Sequence, residues 1–420
     1  MRRSITRIIR AREQAIPNYN SNVGDSVRVV VVGAGPAGSS AATFLARAGA
    51  QVTLLERAHF PRDKVCGDGC TPRGTRMLNI LGAADLPARH AAPVDAFFSR
   101  SPAGYTVDAP LPAELYGGKG FVIPRTILDE HLVRVATRAG AQLREGAHVE
   151  AVEAGVAGAK VRLRGGEVLD AEVVLGCDGS PSVARRSAAA PDFSPSWSAF
   201  ALRVYYDGVV LSHPRAFGLF WEKELLPGYA WIFPLPQGRA NVGVGMRADL
   251  LGRAKVQLPE LLDRFCGSAF GRRELAGGRR LGKPLGHHLP FGGRVAHVTF
   301  DRLLLLGDAA GFVNPLTGEG IELALESGQL AAETIAEAAA AGDFSARGLA
   351  GYTRRCRERF ETSFRLNGRL MQMFQHPRVV DRVARAAQDS RGVQVALASV
   401  MLGASRRLPA RLWLAAALGL

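Results

Sequence analysis

The chain has 420 residues, 47% hydrophobic and 22% charged, with 48 Gly, 23 Pro and 5 Cys. Such a length and apolar content support a sizeable core in two or three parts and exclude disordered and fibrous classes. The net charge of +15 favours anionic partners, yet no tract clusters basic with aromatic residues, so no nucleic-acid partner is expected.

Residues 1–26 are basic, then polar, and predict a mobile leader that lacks the apolar region of a signal peptide. Val27–Val32 is β-branched apart from Arg28, the pattern of a buried parallel strand. Pro36–Ala48 predicts a helix, with Pro near its start and Gly49 just past its end. Gln51–Glu56 predicts the next strand and completes a βαβ unit. Between the first strand and the helix stands Gly33-Ala34-Gly35-Pro36-Ala37-Gly38. In this setting Gly33 permits a tight turn, Gly35 lets backbone approach a pyrophosphate, and Gly38 lets helix and sheet pack closely. The helix start, with Ala37 in its first turn, offers unpaired N–H groups to the phosphates. Glu56 follows Gly35 by 21 positions and would accept hydrogen bonds from adenosine ribose hydroxyls, with Arg57 beside it. An acid there disfavours NADP. The motif occurs once, since Val242-Gly243-Val244-Gly245 lacks the third glycine and reads as sheet or turn. One dinucleotide fold must therefore hold the working cofactor.

Further along, Arg125–Ala139 has helical spacing, and Val149–Val152 with Ala159–Arg164 reads as a hairpin. Val173–Cys177 and Leu303–Leu306 repeat the buried-strand pattern. From Phe200 to Met246 short alternating strands predict an antiparallel sheet inserted in the α/β part. A helix is predicted from about Gly318 to Ala341, and the chain after Gly351 is helical and basic-amphipathic. The fold class is thus α/β: a Rossmann-like domain with an inserted antiparallel-sheet domain and a helical C-terminal region. The expected division is 27–95, 121–190 and 288–345 for the dinucleotide, 96–120 and 191–287 for the substrate, and 346–420 for the helices.

Two later turns narrow the cofactor. Cys177-Asp178-Gly179 follows one buried strand; Gly307-Asp308-Ala309-Ala310-Gly311 follows another and leads through Asn314-Pro315 to Gly318-Glu319-Gly320-Ile321. An Asp after a buried strand can reach a ribityl or ribose hydroxyl, and the second turn again aims a helix start at an anion. The three turns in this order resemble FAD enzymes with the para-hydroxybenzoate hydroxylase-like fold. Phe60-Pro61-Arg62-Asp63-Lys64-Val65-Cys66-Gly67 resembles the F-P-R-x-K-x-C-G segment of the geranylgeranyl reductase family. Tyr229-Ala230-Trp231-Ile232-Phe233-Pro234 resembles its Y-x-W-x-F-P motif, and Gly307–Ile321 its flavin loop. The resemblance covers about Val27 to Ala340.

It implies that Arg62, Lys64, Cys66 and Gly67 lie near the flavin ring or ribityl chain, with Lys64, Cys66 and Gly67 nearest the chemistry. By the same resemblance Arg125 contacts FAD, Asp178 organises the site, Asp308 binds the ribityl or pyrophosphate part, and Pro315 with Gly318, Glu319, Gly320 and Ile321 backs the isoalloxazine. Residue chemistry leaves two readings for Cys66, a thiolate among cations or a small packed side chain. Tyr229, Trp231 and Phe233 share one strand face, either as core or as the wall of an isoprenoid pocket. His287 and His288 have no companion at metal spacing and read as surface histidines; no metal is expected.

The implied activity is saturation of isoprenoid C=C bonds by reduced FAD, with a proton donor left unassigned. NAD(P)H binding transiently, or an electron-donor protein, would supply the electrons. The alternative is a monooxygenase or halogenase of the same fold, because residues 228–234 approximate G-W-x-W-x-I-P with Tyr and Phe replacing Trp and Ile. Five cysteines without a C-x-x-C pair point to a reducing, cytoplasmic setting. Val393–Leu402 is apolar and then interrupted by Arg406, Arg407 and Arg411 before Leu412-Trp413-Leu414. Ten positions reach about half of a ~30 Å hydrocarbon core. The segment therefore either lies in an inner-face membrane interface or covers the substrate domain.

Overall fold

The structure is a computed structural model that describes residues 23, 27–86, 90–253, 256–405 and 407–418. The predicted leader lies outside the described residues except for Val23, whose N–H donates to Ala48 O at 2.8 Å.

Arg28–Val32 (β1) forms because a β-branched run buries both faces of a central strand. It pairs in parallel with Gln51–Leu55 (β2) on one side and Val173–Gly176 (β3) on the other, Val30 lying between Thr53 and Val174. The sheet extends beyond β2 to Gln142–Arg144 and beyond β3 to Leu303–Leu305, both parallel, and ends in the antiparallel pair with Thr299–Phe300. Pro36–Arg47 (α1) crosses between β1 and β2. Its entry is set by Gly33 at φ +101°, and by Gly38, where a Cβ would stand 1.9 Å from Gly33 O. Two further helices follow, Pro72–Leu81 (α2) and Arg125–Arg138 (α3). Ile321–Ala341 (α4) packs on α1 so closely that a Cβ at Gly328 would meet Ala41 N at 2.7 Å.

The second sheet has seven strands. Tyr229–Leu235 (β4) and Arg239–Arg247 (β5) lie at its centre, and Arg279–Pro290 (β6) forms one edge. Sequence reasoning anticipates its antiparallel character, with one exception: Ala216–Phe220 runs parallel to Ala96–Arg100. Alternation accounts for β4, whose Tyr229, Trp231 and Phe233 face one way while Ala230 and Ile232 pack into a separate core.

The C-terminal helices close the molecule. Pro377–Asp389 (α5) turns Val380, Val383 and Ala387 inward and leaves Arg378, Arg382 and Arg385 outside. Arg391–Met401 (α6) buries Val393, Ala396, Val400 and Met401. Asn367 Nδ2 donates to Val400 O at 2.9 Å and Asn314 Nδ2 to Met401 O at 3.2 Å. The apolar face of α6 is buried in one cluster with Leu366, Leu370 and Trp231, as a covering helix requires, while Leu414 beyond it is exposed. The Trp413 side chain lies outside the described residues. Among the described residues, no helix is long and apolar enough to cross a membrane.

Candidate active site

A cavity of about 590 Å³ runs from the C-terminal end of β1 to the aromatic face of β4. Every residue singled out from the sequence as a cofactor, catalytic or substrate contact borders it except Gly38, which instead supports the turn from behind. Ligands of open α/β sheets sit at this end of the strands.

At the first end, the backbone is prepared for an anion. Gly35 caps α1 without any side-chain hydrogen bond, so the first N–H groups remain available. A Cβ on Gly35 would enter open space, with Arg62 and Arg125 guanidinium nitrogens 3.9 and 4.0 Å away. The long helix α4 likewise starts at Gly320 with no side-chain cap. Glu56 directly follows β2 and accepts from Ala34 N at 3.3 Å and Arg62 Nη2 at 3.1 Å. These observations fit a dinucleotide: uncapped helix starts, free space over a glycine, guanidinium groups beside it and a ribose-seeking acid.

Beneath them lies a network that motif reasoning missed. Asp129, one helical turn after Arg125 on α3, accepts from Arg125 Nε at 2.6 Å and Nη2 at 2.7 Å, and from Arg62 Nη1 at 2.7 Å. Burial opposes its charge, but Arg125 and then Arg62 outweigh that and hold its carboxyl below the usual range. Its signal was an Arg-x-x-x-Asp pair at i,i+4 on a helix.

The middle of the cavity is set by Asp308. Lys64 Nζ approaches its carboxylate to 3.3 Å and His287 Nε2 to 3.5 Å. Burial would raise the Asp308 pKa, but Lys64 and His287 bring it well below the ordinary value. His287 itself titrates below the usual histidine range, chiefly through burial. The expectation of surface histidines is therefore corrected. In β6 the register sets Ala201 beside His287, and both residues border the cavity. His288, facing the other way, bonds Ser180 Oγ at 2.8 Å and lies 5.1 Å from the Phe200 ring. Asp178 has less freedom than its motif suggested: Oδ1 accepts from Ser182 Oγ at 2.6 Å, Oδ2 from Val183 N at 2.6 Å and Ala184 N at 3.1 Å. Both its oxygens thus anchor a helix start.

The far end is apolar. Tyr229, Trp231 and Phe233 line it with successive ring centroids 6.4 Å apart, and Phe217, Met371 and Met401 complete the wall. Gly243 is a sheet glycine, as expected, and a necessary one, because its Cβ would stand 2.2 Å from the Trp231 ring. Asn241, which the sequence did not flag, ties this wall to the Cys66 loop. Its Oδ1 accepts from Trp231 Nε1 at 2.9 Å, and its Nδ2 donates to Cys66 O at 2.8 Å and Asp68 Oδ2 at 2.9 Å. Asp68 is fully buried, and that burial lifts its pKa to about 6 against the pull of Tyr205 and Asn241.

A phosphate-ready turn, a ribose acid and an enclosed apolar chamber facing one another make this chain an FAD-dependent oxidoreductase. Residues 26–222 match the FAD binding domain family. The menaquinone reductase of Mycolicibacterium smegmatis is 37% identical over 316 residues, 73% of this chain and 76% of that protein. The digeranylgeranylglycerophospholipid reductase 1 of Methanopyrus kandleri is 34% identical over 345 residues, 80% of this chain and 87% of its own. The crystal structure of a geranylgeranyl bacteriochlorophyll reductase-like protein from Thermoplasma acidophilum superposes with a TM-score of 0.78 at 25% identity, covering 90% of this chain and 95% of that one. The chain belongs to the geranylgeranyl reductase family. Halogenase structures at 17–21% identity share the fold alone.

Proposed function

We propose that this chain saturates C=C bonds of an isoprenoid, a geranylgeranyl or polyprenyl chain carried by a lipid, quinone or diphosphate. The observation that carries the reading is the chamber wall of Tyr229, Trp231, Phe233, Phe217, Met371 and Met401, which meets the Lys64–Gly67 segment in one cavity. Such a surface suits a long apolar chain and offers little to a polar one. The names of the two relatives, a menaquinone and a digeranylgeranyl lipid reductase, have a polyprenyl chain in common.

FAD, when bound and reduced, supplies hydride. The chain's own residues bind, orient and exclude water. Gly33, Gly35, Ala37 and Gly38 form the pyrophosphate turn; Glu56 and Arg57 address the adenosine ribose, and Arg62 and Arg125 the phosphate region. Asp308 holds the ribityl part with Lys64, Gly307 and Pro315 shape that turn, and Gly318, Glu319, Gly320 and Ile321 back the ring. Cys66 and Gly67 border the reacting alkene, and the aromatic wall keeps it dry. In this reading 27–95, 121–190 and 288–345 carry the cofactor, 96–120 and 191–287 enclose the substrate, and 346–420 is the helical cover. Electrons arrive from transient NAD(P)H or a donor protein, since one dinucleotide fold is already taken. Substrate enters from the inner membrane face by peripheral contact.

The test is direct. Reduced holoenzyme is incubated anaerobically with geranylgeranyl diphosphate or menaquinone, and product masses are read. A gain of two hydrogens per bond is expected; added oxygen or halogen supports the monooxygenase or halogenase reading instead.

A further inference from the structure

Saturating an isolated C=C bond needs a proton as well as a hydride, and one carboxyl pair on the chamber wall is built to hold one. Glu319 lies in the turn before α4, next to the cap Gly320, and Glu322 stands in the first turn of the helix. Glu319 borders the cavity; Glu322 is 3% exposed. The residue Glu319 is partly open to the chamber, while its Oε2 is sealed and has no hydrogen-bond partner.

Among the described residues, no cation hydrogen-bonds to either acid. Thr71, at the start of α2, donates its hydroxyl to Glu322 Oε2 at 2.5 Å. Arg73 on α2 is bound at 2.7 and 2.5 Å to Glu326, which Arg359 grips from the other side at 2.7 and 2.9 Å. Tyr229 on β4 gives its hydroxyl to Thr317 O, and Thr317 Oγ1 accepts from Glu319 N at 3.4 Å. Cys70 packs under the pair, its thiol pushed up by burial and by both acids. The two acids are buried within electrostatic reach of each other, and burial raises both against the pull of Arg73, so the pair favours holding a proton. Burial, then Glu322, drives Glu319 far above the carboxylate range; Glu322 is raised less, because Arg73 and Thr71 oppose its burial. The proton rests on Glu319, the member that meets the chamber.

We infer that Glu319 is the acid that protonates the alkene, with Glu322 as the positioning residue that keeps it protonated. This rests on the reductase reading above. The balance is simple: one alkene carbon gains hydride from the reduced cofactor, which ends oxidised. The Glu319 O–H bond breaks, its proton forms the second C–H bond, and the double bond becomes single. Glu319 is left as a carboxylate beside Glu322, and their repulsion drives proton uptake from solvent before the next turnover.

The experiment compares FAD-loaded wild type, Glu319→Gln and Glu322→Gln. Infrared difference spectra at neutral pH should show a protonated carboxyl C=O stretch that Glu319→Gln removes and Glu322→Gln shifts to lower pH. In anaerobic single turnovers with geranylgeranyl diphosphate or menaquinone, Glu319→Gln should reoxidise its reduced flavin on the order of 10²–10⁴-fold more slowly, the usual weight of a general acid. Glu319→Asp should recover part of that loss. No carboxyl band in wild type, or an unslowed Glu319→Gln, overturns the proposal. If Glu319→Gln fails to load FAD, Glu319→Asp and the wild-type band decide in its place. A wild type that reduces no polyprenyl substrate sinks the reductase reading and the proposal with it, whereas loss of the band alone sinks only the proposal.

Discussion

At the β1 end of the cavity, Glu56, Asp129 and Arg125 are buried beside the half-buried Arg62, and each is answered by an opposite charge within 3.1 Å. At the chamber end, Tyr229, Trp231 and Phe233 share a wall with Glu319 and Glu322, a pair that no cation contacts by hydrogen bond among the described residues. The first arrangement fixes charge in place; the second suppresses it. A diphosphate-bearing cofactor needs rigid compensated cations, and an alkene needs a dry surface with one transferable proton. Burial is common to both ends, so what separates them is the supply of counter-charge.

The sharpest way to break the contrast is at Asp129. Asp129→Asn leaves the buried Arg125 and half-buried Arg62 guanidinium groups without their shared carboxylate, and removing one partner of such a network costs about 3–5 kcal/mol. Urea unfolding of the apoprotein should register that loss, with FAD loading falling alongside. The pH dependence has a definite sign. A carboxyl held below its unfolded value contributes fully above about pH 4 and loses that contribution as pH falls further. Wild type should therefore lose stability in acid more steeply than Asp129→Asn; parallel acid profiles would mean the ion network is not what holds this end.

Gly35 tests the same end without touching charge. In Gly35→Val the new side chain enters space the protein leaves open, so the apoprotein should fold while cofactor binding suffers. Overpacking of about 1–3 kcal/mol corresponds to roughly 10–100-fold weaker FAD binding. Flavin absorbance per chain, read beside the apoprotein melting curve, checks it. Full FAD occupancy would rule this turn out as the pyrophosphate site.

Asn241 addresses the other end. Asn241→Leu strands Trp231 Nε1 and Cys66 O and removes one donor to Asp68, at about 1–3 kcal/mol for each buried group left unsatisfied. The expected result is about tenfold slower alkene reduction with near-normal FAD loading, since Asn241 bonds Trp231, Cys66 and Asp68 rather than the charges of the β1 end. Equal losses in both would show that the two ends are one mechanical unit.

The two ends also differ in how far sequence alone reveals them. The β1–α1–β2 unit was legible because its constraints are local: β-branched residues, a glycine turn and an acid at fixed spacing. Trp231 and its neighbours were legible as a shared face, but not as core or pocket, since alternation is the same for both. Asp129 was not found because an i,i+4 pair on a helix looks like surface charge until the helix is placed against Arg62. Asn241 was missed because its partners lie 10 and 175 positions away. His287 was misassigned because β6 is an edge strand rich in exposed basic residues, and only its register with Ala201 sets it at the cavity. Glu319 was visible as part of a glycine turn, yet the Thr71 bond to its neighbour Glu322 depends on α2 packing across α4.

His287 offers the finest distinction. It belongs to neither extreme, being a nearly buried base beside a carboxylate that Lys64 already answers. Burial lowers its pKa against the pull of Asp308. As pH falls through the unfolded histidine value near 6.5, the unfolded chain takes up a proton that the folded chain declines. Stability is then lost with falling pH, at most about 1.4 kcal/mol per unit, until the folded pKa is reached. His287→Gln abolishes that titration while leaving Asp308 its contact with Lys64. Urea midpoints of wild type and variant, measured from pH 7.5 to 5.5 (roughly the span about the unfolded value), should therefore converge as pH falls, if the variant begins less stable. A gap that widens on acidification would mean His287 gains its proton in the folded state, with Asp308 as a true ion-pair partner. The middle of the cavity would then belong with the compensated charges of the β1 end.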